Sequence, residues 1–121
     1  MVMVDTLWHA DKQRIVSGLT IIPELIFVEN EVFREPGLLE NVAQTAALGA
    51  GYGFRQSGQE VRIGFIGSYK DIHIIHLPGI GEELRTTLSV KHEIWNCTSY
   101  DAVVESNGQC IAHMEIKLFI Q

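Results

Sequence analysis

The sequence predicts an α+β domain in which an antiparallel β-sheet wraps around one long, buried central helix. Three observations carry this prediction. Residues 36–54 have helical character and only one charged side chain, Glu40, between positions 38 and 54, and a helix apolar nearly all round is a buried one. Apolar and polar residues alternate along 84–95 and again along 110–120, the period of half-buried strands. Asn107-Gly108, a favoured pair for a two-residue hairpin turn, joins two such runs.

The elements follow in order. Residues 1–13 show no period and form an N-terminal arm, with Trp8 as its anchor on the body. Residues 14–22 are rich in β-branched side chains, with Ile15, Leu19 and Ile21 on one face, and Pro23 ends this strand. Residues 24–35 make a mixed loop or short turn. Pro36 suits the first helical position, Gly51-Tyr52-Gly53 offers a stop, and Arg55 stands near the negative helix end. At about 100° per residue, Glu40 shares its face with Gln44, Ala47 and Gly51, with Ala43 at the edge. A carboxylate and an amide thus face a groove of small residues, and a buried carboxylate without a partner costs too much to be incidental.

Residues 61–77 form a long strand interrupted by Gly64 and Gly67, which marks a bulge or a close backbone approach. Residues 78–81 turn the chain. Leu84, Thr86, Leu88, Val90, His92 and Ile94 then share one strand face. A strand over 98–105 follows, and in the last one Cys110, Ala112, Met114, Ile116, Leu118 and Ile120 face one way. The order is strand, buried helix, four antiparallel strands, so a small sheet has to curl around the helix. The outer side of so apolar a helix predicts cover by a second copy or another chain.

A chain of 121 residues makes a single domain, 1–121. Its net charge of −6 argues against a nucleic-acid partner. Cys97 and Cys110 are expected as free buried thiols of a reducing compartment. The N-terminus lacks the basic and apolar regions of a signal peptide, and no apolar run nears the roughly 20 residues of a membrane span, so a cytoplasmic protein without a membrane association is expected. No His/Cys/Asp/Glu grouping has metal-ligand spacing.

Three segments then resemble one family. Pro36-Gly37-Leu38-Leu39-Glu40-Asn41-Val42-Ala43-Gln44, Gly64-Phe65-Ile66-Gly67-Ser68-Tyr69-Lys70, and Gly81-Glu82-Glu83-Leu84 with the tail from Asn107 to Glu115 are similar to the hotdog fold. Within it they resemble the 3-hydroxyacyl-[acyl carrier protein] dehydratases of the FabZ type, over about residues 13–120. The resemblance implies a homodimer or higher oligomer with sites at the interface and an apolar acyl tunnel beside the helix. It implies an acyl-[acyl carrier protein] or acyl-CoA thioester as substrate and no cofactor. Glu40 aligns with the catalytic helix carboxylate, which works with a histidine of the partner protomer to remove the C2 proton and expel the 3-hydroxyl as water. Gln44 is the supporting amide one turn on, and Gly37 and Gly67 are supporting positions. The pathway class implied is fatty-acid or polyketide-type biosynthesis.

The sequence departs from the family in the loop before the helix. The family's Gly-His-Phe-Pro is replaced by Phe27-Val28-Glu29-Asn30-Glu31-Val32-Phe33-Arg34-Glu35-Pro36, with no histidine. Of the five histidines, His73 and His76 lie on the strand that forms the family's dimer seam and are candidates to reach a partner's Glu40; the alternative for a strand-end histidine is solvation. His92 is expected in the core or an interface and His113 on a polar face. Asn30 is either a solvated loop residue or a group that orients a thioester carbonyl or water for Glu40, as in some hotdog thioesterases. Three readings stay open: a dehydratase, a thioesterase using Glu40, and a non-catalytic thioester binder or His-lacking subunit of a heterodimeric dehydratase.

Overall fold

The computed structural model describes residues 2–121. The elements are β1 (Thr6–Ala10), β2 (Arg14–Thr20), β3 (Val28–Glu29), β4 (Val32–Phe33), α1 (Glu35–Gln56), β5 (Gly64–Ile74), β6 (Glu83–Ile94), β7 (Cys97–Ser106) and β8 (Gln109–Ile120). Six strands form one sheet in the order β1-β2-β6-β7-β8-β5, with every neighbouring pair antiparallel, and β3 and β4 form a separate hairpin. The helix packs against both edge strands, β1 and β5, which only a sheet curled around it allows.

The helix buries Gly37, Leu38, Asn41, Val42, Thr45, Ala46 and Gly49, the three-and-four spacing of one face. Leu38, Val42 and Ala46 join Leu84, Leu88, Val104, Ile116 and Leu118 in the core. Two polar side chains within this stripe fix the helix. Asn41, fully buried, donates from Nδ2 to the Met3 carbonyl at 2.7 Å and accepts from Thr86 Oγ1 at 2.5 Å. Thr45 donates to the Asn41 carbonyl at 2.7 Å, and its hydroxyl meets that of Ser17 at 2.6 Å. Among the described residues no buried side-chain nitrogen or oxygen lacks a partner.

The hairpin before the helix is tied to the turn before β6. Phe33 N–H donates to the Pro78 carbonyl at 2.8 Å and Ile80 N–H to the Glu31 carbonyl at 3.2 Å, while Ile21, just after β2, joins the same turn through its N–H to the Glu82 carbonyl at 2.9 Å. The Glu82 carboxylate holds that turn closed. It accepts from Gly79 N–H at 2.5 Å and from the Ser106 hydroxyl at 2.8 Å.

Several sequence expectations are corrected. The N-terminal arm contains an edge strand, β1, and Trp8 is largely exposed, with its indole lying over Gly18. Residues 24–35 contain the β3–β4 hairpin, a pattern too short to show a period. The helix runs through Gly51-Tyr52-Gly53 to Gln56, and its end is marked by Ser57, whose hydroxyl caps the Gly53 carbonyl at 3.0 Å, and by Gly58 at φ 73°. The helix is not buried all round: Ala47, Leu48 and Tyr52 are exposed in the single chain. A shift in register at Lys91 breaks the β6 alternation, so His92 and Ile94 are exposed rather than in the core. Another at Ile111 puts that residue inside and leaves Cys110 exposed; Cys97 is half-buried, and both thiols are free. His113 is exposed, as expected. Among the described residues no helix is long and apolar enough to cross a membrane, and no group of three or more His, Cys, Asp or Glu side chains could hold a metal ion.

Two expectations follow. Asn41→Leu strips the Met3 carbonyl and the Thr86 hydroxyl of buried partners, and should cost about 2–4 kcal/mol in urea unfolding; a loss under 0.5 kcal/mol, on the order of a surface substitution, would show the clamp to be dispensable. The Glu82 carboxyl is held below its ordinary value of 4.5, first by the Gly79 N–H, against an opposing effect of burial, and further by Ser106 and His76. A carboxyl lowered by folding stabilises fully above its unfolded pKa, and that stability is lost as pH falls through the folded value. Glu82→Gln should therefore be less stable than the parent chain at neutral pH, with the gap closing below about pH 4. A gap independent of pH rules out the charge as its source.

Candidate active site

The site lies where the N-terminal half of α1 meets β5. Because Asn41 points into the core, Glu40, one residue earlier and about 100° around the helix, is set on the flank. Its side chain is half-buried. Gln44, one turn on, donates from Nε2 to Glu40 Oε1 at 3.1 Å, and its own carbonyl accepts from the Met3 N–H at 2.6 Å. Glu40 and Gln44 are thus brought together as the sequence suggested, with Met3 as an unforeseen third member. No other hydrogen bond to Glu40 occurs among the described residues, so Oε2 is left available.

Tyr69 completes this corner, and the sequence reading did not single it out as a site residue. In β5, Ile66 pairs with Leu118 and Tyr69 with Ile116, both on the helix side, while Ser68 and Lys70 pair with Lys117 and Glu115 on the outer side. Gly67 is the extra residue between Ile66 and Ser68, and it inverts the alternation so that Tyr69 turns inward. The Tyr69 hydroxyl donates to the Leu39 carbonyl at 3.4 Å. Burial pushes its pKa above the ordinary value of 10, and the Glu40 charge raises it further. The signal was present in the glycine already suspected of a bulge.

The other candidates have other surroundings. A Cβ on Gly67 would collide with the Phe119 ring on the outer face, and one on Gly37 would come within 2.5 Å of Phe33 Cζ. Both glycines are required by packing. Asn30 and Glu31, at φ 53° and 63°, form the exposed β3–β4 turn, where asparagine suits the left-handed conformation. His73 stacks on His113 on the outer sheet face, with ring centroids 4.7 Å apart and planes at 25°. His76 is exposed, its Nε2 3.9 Å from Glu82. Among the described residues, then, the recorded partners of the two histidines are His113 and Glu82, not Glu40.

The model of the ApeP-like family, described as ApeP dehydratase, matches residues 1–121. The chain belongs to the ApeP-like dehydratase family. No curated protein matches it in sequence. In fold, this ApeP-like chain is similar to the dehydratase heterocomplex ApeI:P from Xenorhabdus doucetiae, with TM-score 0.91 and 10% identity over 99% of this chain and 83% of the other. It is also similar to smu.793 from Streptococcus mutans bound to acetyl CoA, with TM-score 0.78 and 11% identity over 100% and 92%. A hypothetical thioesterase with coenzyme A from Streptococcus pneumoniae gives TM-score 0.76 and 10% identity over 95% and 86%. The hotdog architecture and the resemblance to a dehydratase therefore hold for this ApeP-like protein.

The electrostatic influence of Glu40 on Tyr69 is directly measurable. In Glu40→Gln the Tyr69 phenol should titrate at lower pH than in the parent ApeP-like chain, read from its ring carbon resonance. Tyr100, pushed up to about 12 by burial and by Glu93, should not move. An unmoved Tyr69 would mean that the carboxylate does not face the phenol.

Proposed function

We propose that the chain dehydrates 3-hydroxyacyl thioesters, presented on an acyl carrier protein or coenzyme A, to trans-2-enoyl thioesters, with Glu40 as an acid/base residue. The reaction breaks the C2–H and C3–O bonds, forms the C2=C3 bond and releases water. A proton must leave C2 and another must reach the departing hydroxyl, so a carboxyl with one accessible oxygen at the substrate is suited to one of these transfers. The observation that carries this reading is the placement of Glu40. It stands on the helix flank with a single supporting amide and no cation to neutralise it among the described residues. Gln44 orients the carboxylate, and Tyr69 lines the same corner as a positioning group.

A second reading is supported by the β3–β4 hairpin. It has no histidine where the FabZ-type dehydratases that the chain resembles carry one, and a neighbour of the same fold is a dehydratase heterocomplex. In this reading the chain supplies the carboxylate, and the second group comes across an interface, either from His73 or His76 of another copy or from a different subunit. Cover over Leu48 and Tyr52 would come from that same partner.

The test follows enoyl absorbance and free thiol separately, with 3-hydroxyacyl and saturated acyl thioesters, for the chain alone and mixed with a histidine-bearing dehydratase subunit. Enoyl formation should fall about 10²–10⁴-fold in Glu40→Gln while the unfolding midpoint is retained. Formation only in the mixture selects the heteromeric form. Thiol release from saturated thioesters without enoyl formation would replace this reading with thioester hydrolysis.

A further inference from the structure

On the outer face of the sheet, away from the helix, a hollow of about 340 Å³ is lined by Lys70, Lys91, Lys117, Glu115, Ser99 and Ile94 among others. Three of the four lysines of a chain with net charge −6 therefore meet at one concavity. They arrive from three strands, β5, β6 and β8. His92 and Lys117 flank Ser99 across β6, β7 and β8, and Lys70 lies opposite Glu115 across β5 and β8.

Two irregularities place these cations together. In β6, Val90 pairs with Tyr100 and His92 with Ser99, so Lys91 is the extra residue of a bulge. Strict alternation would send one of Lys91 and His92 inward; the bulge gives both to the outer face. In β5, the extra Gly67 turns Lys70 outward beside Glu115.

The single carboxylate in the hollow does not cancel them. Glu115 is held by Lys91 at 2.7 Å, and its carboxyl is kept below the ordinary range first by that hydrogen bond and further by the charges of Lys70 and Lys117. Lys91 also stands 4.0 Å from Asp101 at the rim. Lys70 and Lys117 have no carboxylate within ion-pair distance among the described residues, so these two lysines line the hollow without an ion pair of their own and share the charge of Glu115 at longer range. Beneath them the hydroxyl of Ser99, itself buried, adds a neutral donor, and Ile94 supplies an apolar lip.

We propose that this hollow binds a phosphate group, carried by a small phosphorylated ligand. Three ammonium groups around one carboxylate, two of them without an ion pair, suit an oxyanion bearing more than one negative charge. Ligand pockets typically run to roughly 300–1,000 Å³, so the volume suits one phosphorylated moiety, and a concave shape favours that over an acidic protein surface. The hollow does not include Glu40, but the choice of ligand rests on the thioester chemistry proposed above. Its phosphate has two natural sources in thioester chemistry, the nucleotide half of coenzyme A and the phosphopantetheine arm of a carrier protein.

Isothermal titration at low ionic strength with adenosine 3′,5′-bisphosphate and with 4′-phosphopantetheine separates the two sources, with unphosphorylated pantetheine as the control. At least one phosphorylated probe should bind, at least about tenfold more weakly in Lys70→Ala/Lys117→Ala, with Lys12→Ala unchanged. The three lysines changed are exposed, so the unfolding midpoint should hold in every variant. Binding of neither phosphorylated probe, equal binding of pantetheine, or the same loss in Lys12→Ala would overturn the proposal.

Discussion

The carboxamide of Asn41 fixes how the helix lies against the sheet. Both of its polar atoms are used inside the core, by the Met3 carbonyl and the Thr86 hydroxyl, and its backbone carbonyl receives Thr45, which in turn reaches Ser17. A purely apolar stripe would tolerate some rolling of the helix, because the hydrophobic effect has no direction. Hydrogen bonds at 2.5–2.7 Å from Thr45 to β2 and from Asn41 to β6 and the N-terminal segment do not tolerate it, since any roll leaves a buried polar group unpaired. With Asn41 held inward, Val42 falls in the core and Glu40 on the flank. The azimuth of the candidate catalytic side chain is thus set by its sequence neighbour.

The architecture was legible because its main signals are long-ranged in sequence. A helix carrying one charge over its core span, and strands of ten to twelve residues with clear alternation, leave few other arrangements. Glu40 and Gln44 were legible as a pair for the same reason, since a four-residue spacing on a helix is a contact. What stayed hidden was short or depended on tertiary partners. The two-residue strands β3 and β4 carry no period, β1 is half-exposed along its length, and the partnership of Met3 with Asn41 and Gln44 spans some forty residues.

The β-bulges explain the remaining differences together. Alternation is a parity rule, and each extra residue inverts it for everything beyond. Gly67 turns Tyr69 toward the helix, Lys91 takes His92 out of the core row, and Ile111 takes the inward place expected for Cys110. Of these, only Gly67 is a residue whose identity advertises a bulge. A lysine and an isoleucine are ordinary strand residues, and their irregularity comes from the register of the partner strand. The bulges therefore sort polar groups between the two faces, giving Tyr69 to the helix corner and the lysines to the outer hollow.

At Glu40 the same economy operates through a single amide. A side chain that exchanges protons with a substrate cannot have both oxygens saturated, yet a carboxylate on an apolar flank needs support to hold one rotamer. Among the described residues Gln44 supplies Glu40 with one hydrogen bond, to Oε1. Its direction is not arbitrary: the Met3 N–H can only donate, so the Gln44 oxygen must face it, and the Gln44 nitrogen must face Glu40. A backbone donor from the start of the chain thereby determines which end of the amide meets the carboxylate. Residues that look like an unpatterned arm in the sequence are, through this contact, what keeps Glu40 facing a hydrogen-bond donor rather than a second acceptor.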